Sequence, residues 1–149
     1  MTLWRVSNHA SLEGDGGLRA SGRWHSRGRA IVYCAPNPAT ALLEVLVHAE
    51  IDISDIPVTF RYLEIAAPDS VAVETARLDA LGKDWQRSSD MTQPIGDQWI
   101  HSGSTALLRV PSVIVPVTWN FLFNPQHPMA SQVRIVRIHE HAIDPRLLR

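Results

Sequence analysis

Apolar and polar positions alternate in short blocks along the chain, and this pattern predicts several short strands with few helices. Residues 3–6 and 30–35 are mainly apolar, include β-branched and aromatic residues and are bounded by turn residues, which is typical of strands. Similar blocks predict further strands at residues 58–65, 71–73, 106–110, 113–117 and 133–138. Between the first two strands, residues 8–30 are predicted to form a long ordered loop, and loops of this length are usually functional.

The clearest predicted helix covers residues 39–49. Asn37 is a suitable N-cap, and Pro38 occupies the first helical position, where its missing N–H costs nothing. Two shorter helices are predicted at residues 76–82 and 94–101. Several strands in succession argue against a regular dinucleotide-binding domain of alternating strands and helices. The pattern therefore predicts a mixed α/β (α+β) fold in one domain over residues 1–149.

Composition narrows the class of protein. A hydrophobic content of 45% and a charged content of 19% are typical of a globular domain. The net charge of −1 excludes a broad basic surface for nucleic acid. Residues 1–30 nevertheless carry five arginines against Glu13 and Asp15, which suits a small anionic ligand. The single cysteine, Cys34, and the lack of a signal-peptide or membrane-spanning apolar run predict a cytoplasmic protein.

Common nucleotide-binding and hydrolase motifs are missing from the sequence. The glycines in residues 14–17 lack the spacing of the dinucleotide fingerprint, and there is no P-loop and no Gly-x-Ser-x-Gly elbow. His139 and His141 have no partner at metal-ligand spacing, so we expect no metal site.

Glu44 is the most conspicuous polar residue, because it lies in a predicted helix that is apolar almost all round. Two interpretations are open. Thr40, Glu44 and His48 follow the i, i+4 spacing of a thin solvent-facing stripe. Alternatively, the carboxylate is held in a cleft.

Other candidate residues also carry two interpretations each. Arg23 offers a planar fork for phosphate oxygens and Trp24 a stacking surface, but they could equally be a surface arginine and a core anchor. Tyr33 could face a ligand or pack in the core. Ser112 could face a cleft or form a tight turn. Residues 120–128 are predicted to form a loop with an apolar anchor, in which Asn124 before proline could be a turn signal alone.

Taken together, these segments resemble the RES domain, a family named for an arginine, a glutamate and a serine. The matching segments are Gly22-Arg23-Trp24, Ile31-Val32-Tyr33, Ala41–His48 with Glu44, and Val110–Pro116 with Ser112. Trp4-Arg5 matches the opening of the family pattern, and residues 120–128, which include Asn124, match its closing signature. One departure is His25, which stands where many members have asparagine.

The resemblance implies a fold related to ADP-ribosyltransferase toxins, with a cleft for NAD as substrate. Family members degrade NAD with water or phosphate as acceptor, or transfer ADP-ribose to a protein. The resemblance also implies a homodimeric toxin core and an Xre-type antitoxin with a helix-turn-helix domain, and neither a metal nor direct binding to nucleic acid or membrane.

The same resemblance assigns a role to each site residue. Glu44 would stabilise positive charge on the ribose as the nicotinamide bond breaks, and Ser112 would orient the substrate. Arg23 and Arg5 would neutralise the pyrophosphate. Tyr33 and Trp24 would hold the rings, and Asn124 would contribute to binding. Two alternatives remain open: ADP-ribose transfer to protein, and a noncatalytic NAD-binding or interaction module.

Overall fold

Two sheets with helices against them make up the computed structural model, which describes residues 1–48, 57 and 59–148. The strands are Thr2–Val6 (β1), Val32–Cys34 (β2), Thr59–Ala66 (β3), Val73–Thr75 (β4), Leu107–Pro111 (β5), Trp119–Phe123 (β6) and Arg134–Ala142 (β7). The α-helices are Asp15–Arg19 (α1), Pro38–His48 (α2) and Ser89–Ser102 (α3), and 3₁₀ turns cover Trp85–Arg87, Ala130–Gln132 and Pro145–Leu148. The predicted mixed α/β fold is confirmed.

Strand pairing is antiparallel except at one edge. The first sheet has the order β1-β3-β7, and the second has the order β2-β6-β5-β4 with β4 and β5 parallel. An antiparallel bridge between Trp4 and Ala35 joins β1 to the end of β2, with N···O distances of 2.9 and 2.7 Å. The two sheets are therefore linked where the chain leaves β2 for α2.

The core has a layer on each side of the second sheet. Leu107 and Phe123 pack with Leu3, Leu63 and Ile65 of the first sheet. The alternate residues of the same strands pack on the other side, where α3 contributes Trp99; they are Leu108, Val110 and Leu122. Because both faces of β5 and β6 are buried, the second sheet is the central layer of the domain.

The predicted start of α2 is confirmed. The Oδ1 atom of Asn37 accepts a hydrogen bond from the N–H of Thr40 at 2.8 Å, and the helix begins at Pro38. Ala41 packs against Val6 and Phe60, which fixes α2 against the first sheet. The predicted end of this helix at Ala49 lies outside the described residues.

The other strand predictions agree with the structure except for one. The ranges 3–6, 30–35, 106–110 and 133–138 overlap β1, β2, β5 and the start of β7. The strand expected at 71–73 is displaced by two residues, to Val73–Thr75. The strand expected from Val58 begins at Thr59, and Val58 itself lies outside the described residues. The predicted loop of residues 8–30 contains one short helix, α1.

Three local predictions are wrong. Residues 76–82 are not helical, because the N–H of Ala76 donates to the Arg109 carbonyl and extends the β4–β5 ladder. Residues 113–117 form a turn rather than a strand, since the Ser112 hydroxyl accepts from the N–H groups of Ile114 and Val115. The chain returns instead as β6, in a segment expected to be a loop.

α3 is longer than the sequence suggests. The hydroxyl of Ser88 accepts from the N–H of Asp90 and caps a helix that begins at Ser89, five residues before the predicted start at residue 94. Pro94 lies within the helix, where it removes one backbone hydrogen bond. None of the described helices has the length and apolar character needed to cross a bilayer.

Candidate active site

A cavity of about 480 Å³ lies beside α2, within the size range of ligand pockets. Its walls come from β1, α1 with the loop that follows it to residue 25, β2, α2, and the adjoining ends of β5 and β6 with the turn between them. The predicted site residues that line it are Arg5, Arg23, Trp24, Tyr33 and Glu44. The fold therefore brings five of the seven predicted residues to one cavity.

Glu44 projects from α2 at the cavity, so the cleft interpretation describes its position. Its Oε1 atom accepts hydrogen bonds from the Ser112 hydroxyl and from the Asn120 side-chain amide, both at 2.7 Å. The Oε2 atom lies 3.2 Å from Nε2 of His48, one turn along the helix. The side chain of Glu44 is 20% exposed. One carboxylate oxygen is thus fixed by neutral donors, and the other faces an exposed imidazole.

Ser112 forms the tight turn of its second interpretation and contacts Glu44 rather than lining the cavity itself. It directly follows β5 and is 2% exposed, and its hydroxyl oxygen accepts the two turn hydrogen bonds described above. The same hydroxyl donates a hydrogen bond to Glu44. Ser112 therefore acts on the cavity through the orientation of Glu44.

Arg23 and Trp24 occupy the corner of a tight turn. The N–H of Gly22 donates to the carbonyl of His25 at 3.0 Å and closes this turn. The Arg23 guanidinium donates to the backbone carbonyl of Gln86. Trp24 is 3% exposed and packs against Trp85, with ring centroids 5.9 Å apart. The core-anchor interpretation therefore accounts for most of the Trp24 surface, although both Arg23 and Trp24 line the cavity.

Hydrogen bonds made by Tyr33 and His25 support this turn. The Tyr33 hydroxyl accepts from the N–H of Trp24 at 3.0 Å and lies 2.7 Å from Nδ1 of His25. Because Nε2 of His25 lies 3.0 Å from the Ala20 carbonyl, which can only accept, Nε2 carries the proton and Nδ1 accepts from Tyr33. Burial raises the pKa of the Tyr33 phenol and lowers the pKa of His25, so both groups are neutral at pH 7.

This buried imidazole predicts a pH-dependent stability. The pKa of His25 in the folded chain lies below its ordinary value of 6.5, so the unfolded chain binds the extra proton first. The contribution of His25 is complete above about pH 6.5 and is lost as the pH falls toward its folded pKa. We expect the free energy of unfolding to fall more steeply between about pH 7 and about pH 5 in the wild type than in His25→Asn. Urea unfolding at both pH values measures this.

Exposed His9 provides the control for this prediction. His9→Asn makes the same chemical change at an exposed position. It should keep the wild-type pH dependence. An identical pH dependence in the wild type and His25→Asn would show that His25 does not titrate differently on folding.

Side chains of α3 hold the turn of residues 22–25, called here the Arg23 turn. The Thr92 hydroxyl donates to the Arg23 carbonyl, and the Gln93 amide donates to the Gly22 carbonyl at 2.9 Å. Asp97 accepts from the N–H of Ser26 at 2.8 Å and pairs with Arg29 at 3.1 Å. One face of a helix that lies outside the cavity therefore sets the position of the arginine inside it.

The two remaining predicted residues have different positions. Arg5 lines the cavity, its Nη1 atom donates to the Ser11 carbonyl at 2.8 Å, and burial lowers its pKa. Asn124 is 3% exposed, and its Oδ1 atom accepts from the N–H of Gln126 at 3.0 Å. Asn124 thus forms a turn, as its position before proline allowed, and it is not among the residues that line the cavity.

Sequence reasoning missed the residues that support the predicted ones. Asn120 contacts Glu44 from β6, yet its segment was expected to be a loop. Thr92, Gln93 and Asp97 contact the Arg23 turn from α3. The available signals were the closing signature that contains Asn120 and a glycine at position 96 inside a helical segment.

Comparison with known proteins gives a consistent result. Residues 2–144 match the RES domain family. The chain is 48% identical over 147 residues to a Pseudomonas putida protein named Toxin Res, and the matched region covers 99% of each chain. It is 36% identical over 158 residues to a Sphingobium protein named Prs ADP-ribosylating toxin, which covers 99% of this chain and 97% of the relative.

A solved structure shares the fold. The Mycobacterium tuberculosis MbcT–MbcA toxin–antitoxin complex contains a chain that superimposes with a TM-score of 0.74 at 18% identity, over 98% of this chain and 85% of that chain. Of the seven predicted site residues, five line one cavity and Ser112 contacts Glu44 beside it, while Asn124 is the exception. The chain belongs to the RES domain family.

Proposed function

We propose that this protein is the toxin of a toxin–antitoxin pair and that it cleaves the nicotinamide–ribose bond of NAD. The observation that carries the proposal is Glu44, an oriented carboxylate in a cavity that also presents two arginines. Relatives of this chain are named toxins, and its structural neighbour is part of a toxin–antitoxin complex.

Glu44 supplies the fixed negative charge that cleavage of the nicotinamide–ribose bond requires. Loss of nicotinamide leaves positive charge on the ribose, as in other glycosidic cleavages, and a fixed negative charge stabilises it. Since nicotinamide leaves as a neutral molecule, the reaction needs no general acid. A site with one prominent carboxylate is therefore sufficient for this step.

Arg5 and Arg23 fit the pyrophosphate of the substrate. Guanidinium groups bind phosphate oxygens through paired N–H donors. Arg5 comes from β1 and Arg23 from the turn before β2, so the two cations reach the cavity from different elements. Tyr33 lines the same cavity and supplies an aromatic surface for a ring. Neither this binding mode nor catalysis invokes a metal.

The acceptor distinguishes two candidate functions. Water or phosphate as acceptor gives degradation of NAD. The relative named Prs ADP-ribosylating toxin favours a second candidate, transfer of ADP-ribose to a protein. In both cases the bond broken and the role of Glu44 are the same.

An antitoxin accompanies the toxin in this proposal. The neighbour of this fold was solved as a toxin–antitoxin complex. We propose an Xre-type antitoxin with a helix-turn-helix domain that covers the cavity of a homodimeric toxin, in the cytoplasm, where NAD is available.

Nicotinamide release by the purified protein tests the proposed function. We expect release from NAD, measured by liquid chromatography with and without phosphate. A requirement for phosphate identifies phosphorolysis, and release without it identifies hydrolysis. Isotope-labelled NAD added to a cell extract reports transfer to protein. NAD binding without release or labelling in any of these assays would instead establish the noncatalytic module.

A further inference from the structure

Asn120 is the second donor to the Glu44 carboxylate, and no role has yet been assigned to it. We propose that Asn120 is a positioning residue: it holds Glu44 in the orientation that cleavage requires. This inference rests on the proposed function. It adds a residue from β6 to a site otherwise built from β1, the Arg23 turn, β2, α2 and Ser112.

The sheet sets the position of Asn120. β5 and β6 are antiparallel, with Asn120 opposite Val110, and the N–H of Ser112 donates to the Thr118 carbonyl at 2.8 Å. This pairing brings the side chains of Ser112 and Asn120 to the same carboxylate oxygen, each at 2.7 Å. Two buried central strands therefore hold both donors, while α2 supplies the carboxylate.

The orientation of the Asn120 amide is defined by its partner. If the amide were reversed, its oxygen would lie against a carboxylate oxygen, where both atoms can only accept. In the observed orientation, Oδ1 is buried and has no hydrogen-bond partner among the described residues. Asparagine is also disfavoured in strands. Since neither strand propensity nor full hydrogen bonding explains an asparagine here, its contact with Glu44 is the explanation that remains.

The chemical character of the donors matters as much as their geometry. A lysine or arginine paired with Glu44 would orient it but also cancel its charge. A hydroxyl and an amide orient the carboxylate without placing a positive charge against it. Other charged or titratable groups that line the cavity are Arg5, Arg23, His25, Tyr33, Cys34 and His48, of which His48 contacts Glu44.

Asn120→Asp tests this role with an isosteric change. It puts a second carboxyl group 2.7 Å from Glu44 in place of a donor. Two carboxylates at that distance share one proton. The pair therefore keeps one negative charge, but the shared hydrogen bond delocalises it over both side chains and it stabilises the ribose less. We expect kcat for nicotinamide release to fall about tenfold near pH 7. The acid limb of the kcat profile should move to higher pH by about one unit or more, while KM for NAD changes little.

The pH profile separates positioning from a structural role. A structural defect would lower kcat by the same factor at every pH. A profile for Asn120→Asp that overlays the wild-type profile after scaling would overturn the positioning role. Absence of nicotinamide release from the wild type would overturn the proposed function instead, so the two failures are distinguishable.

A double-mutant cycle keeps the proposal testable if Asn120→Asp does not fold. We expect Asn120→Ala to lower kcat about tenfold in the wild-type background. In a Glu44→Gln background it should have no further effect, because the charge that Asn120 orients is already gone. Equal losses in both backgrounds would show that Asn120 acts independently of Glu44.

Discussion

Glu44→Gln is expected to lower nicotinamide release about 10²–10³-fold without loss of the fold. A negative charge about 4 Å from a developing positive charge contributes about 4 kcal/mol at an effective dielectric constant of about 20. That energy corresponds to about 10³-fold in rate. Glutamine keeps the shape of the side chain, and its carbonyl oxygen can still accept from Ser112 and Asn120. The substitution therefore removes charge and little else.

Three measurements on Glu44→Gln check this prediction: kcat, KM for NAD and the thermal midpoint. We expect the loss to lie in kcat, since the arginines that bind the pyrophosphate are unchanged. In cells, the wild type produced without an antitoxin should arrest growth and the variant should not. Undiminished nicotinamide release by a folded Glu44→Gln protein would remove Glu44 from the mechanism.

Glu74→Gln is a matched control for this experiment. Glu74 on β4 also accepts a hydrogen bond from a serine hydroxyl, that of Ser104 at 2.6 Å, but it lies outside the cavity lining. The same chemical change with the same kind of donor should leave kcat and KM at their wild-type values. An equal fall in kcat in both variants would mean that removing a carboxylate lowers activity through the general stability of the protein.

Features encoded over a few neighbouring residues could be predicted from the sequence. The start of α2 follows from Asn37 and Pro38, whose capping and backbone geometry act within one turn. β1, β2 and β5 follow from blocks of β-branched and apolar residues. Glu44 stands out because a carboxylate is unexpected in an apolar helix, although its periodicity alone could not distinguish a cavity from a solvent-facing stripe.

Features that depend on tertiary pairing could not be predicted. Ser112 caps its own turn, so the apolar residues after it do not pair as a strand, and β6 begins seven residues later. Residues 76–82 favour a helix locally, but the N–H of Ala76 is taken by the edge of β5. The joint contact of Ser112 and Asn120 with Glu44 requires strand register, which no local pattern contains.

Gly96→Ala is the second variant for which we expect a large effect, and here two physical effects have opposite signs. Alanine is a better helix former than glycine by about 1 kcal/mol, which alone would stabilise α3. However, a Cβ at position 96 would lie 2.9 Å from the carbonyl carbon of Trp24 and closer still to its oxygen. Both atoms belong to the backbone of the Arg23 turn, which Thr92 and Gln93 hold on either side. The obstacle therefore cannot move aside as a flexible side chain would.

Steric overlap should exceed the gain in helix propensity. Overpacking against rigid surroundings costs about 1–3 kcal/mol and sometimes more, so we expect Gly96→Ala to lower the free energy of unfolding by about 2 kcal/mol. For a chain of this size, the thermal midpoint should fall by roughly 4–8 °C. Gly82→Ala, where a Cβ would meet nothing within 4 Å, should leave it nearly unchanged. A higher midpoint in Gly96→Ala would mean that the helix stands far enough from Trp24 to admit a methyl group, and α3 would then not be the clamp that places Arg23.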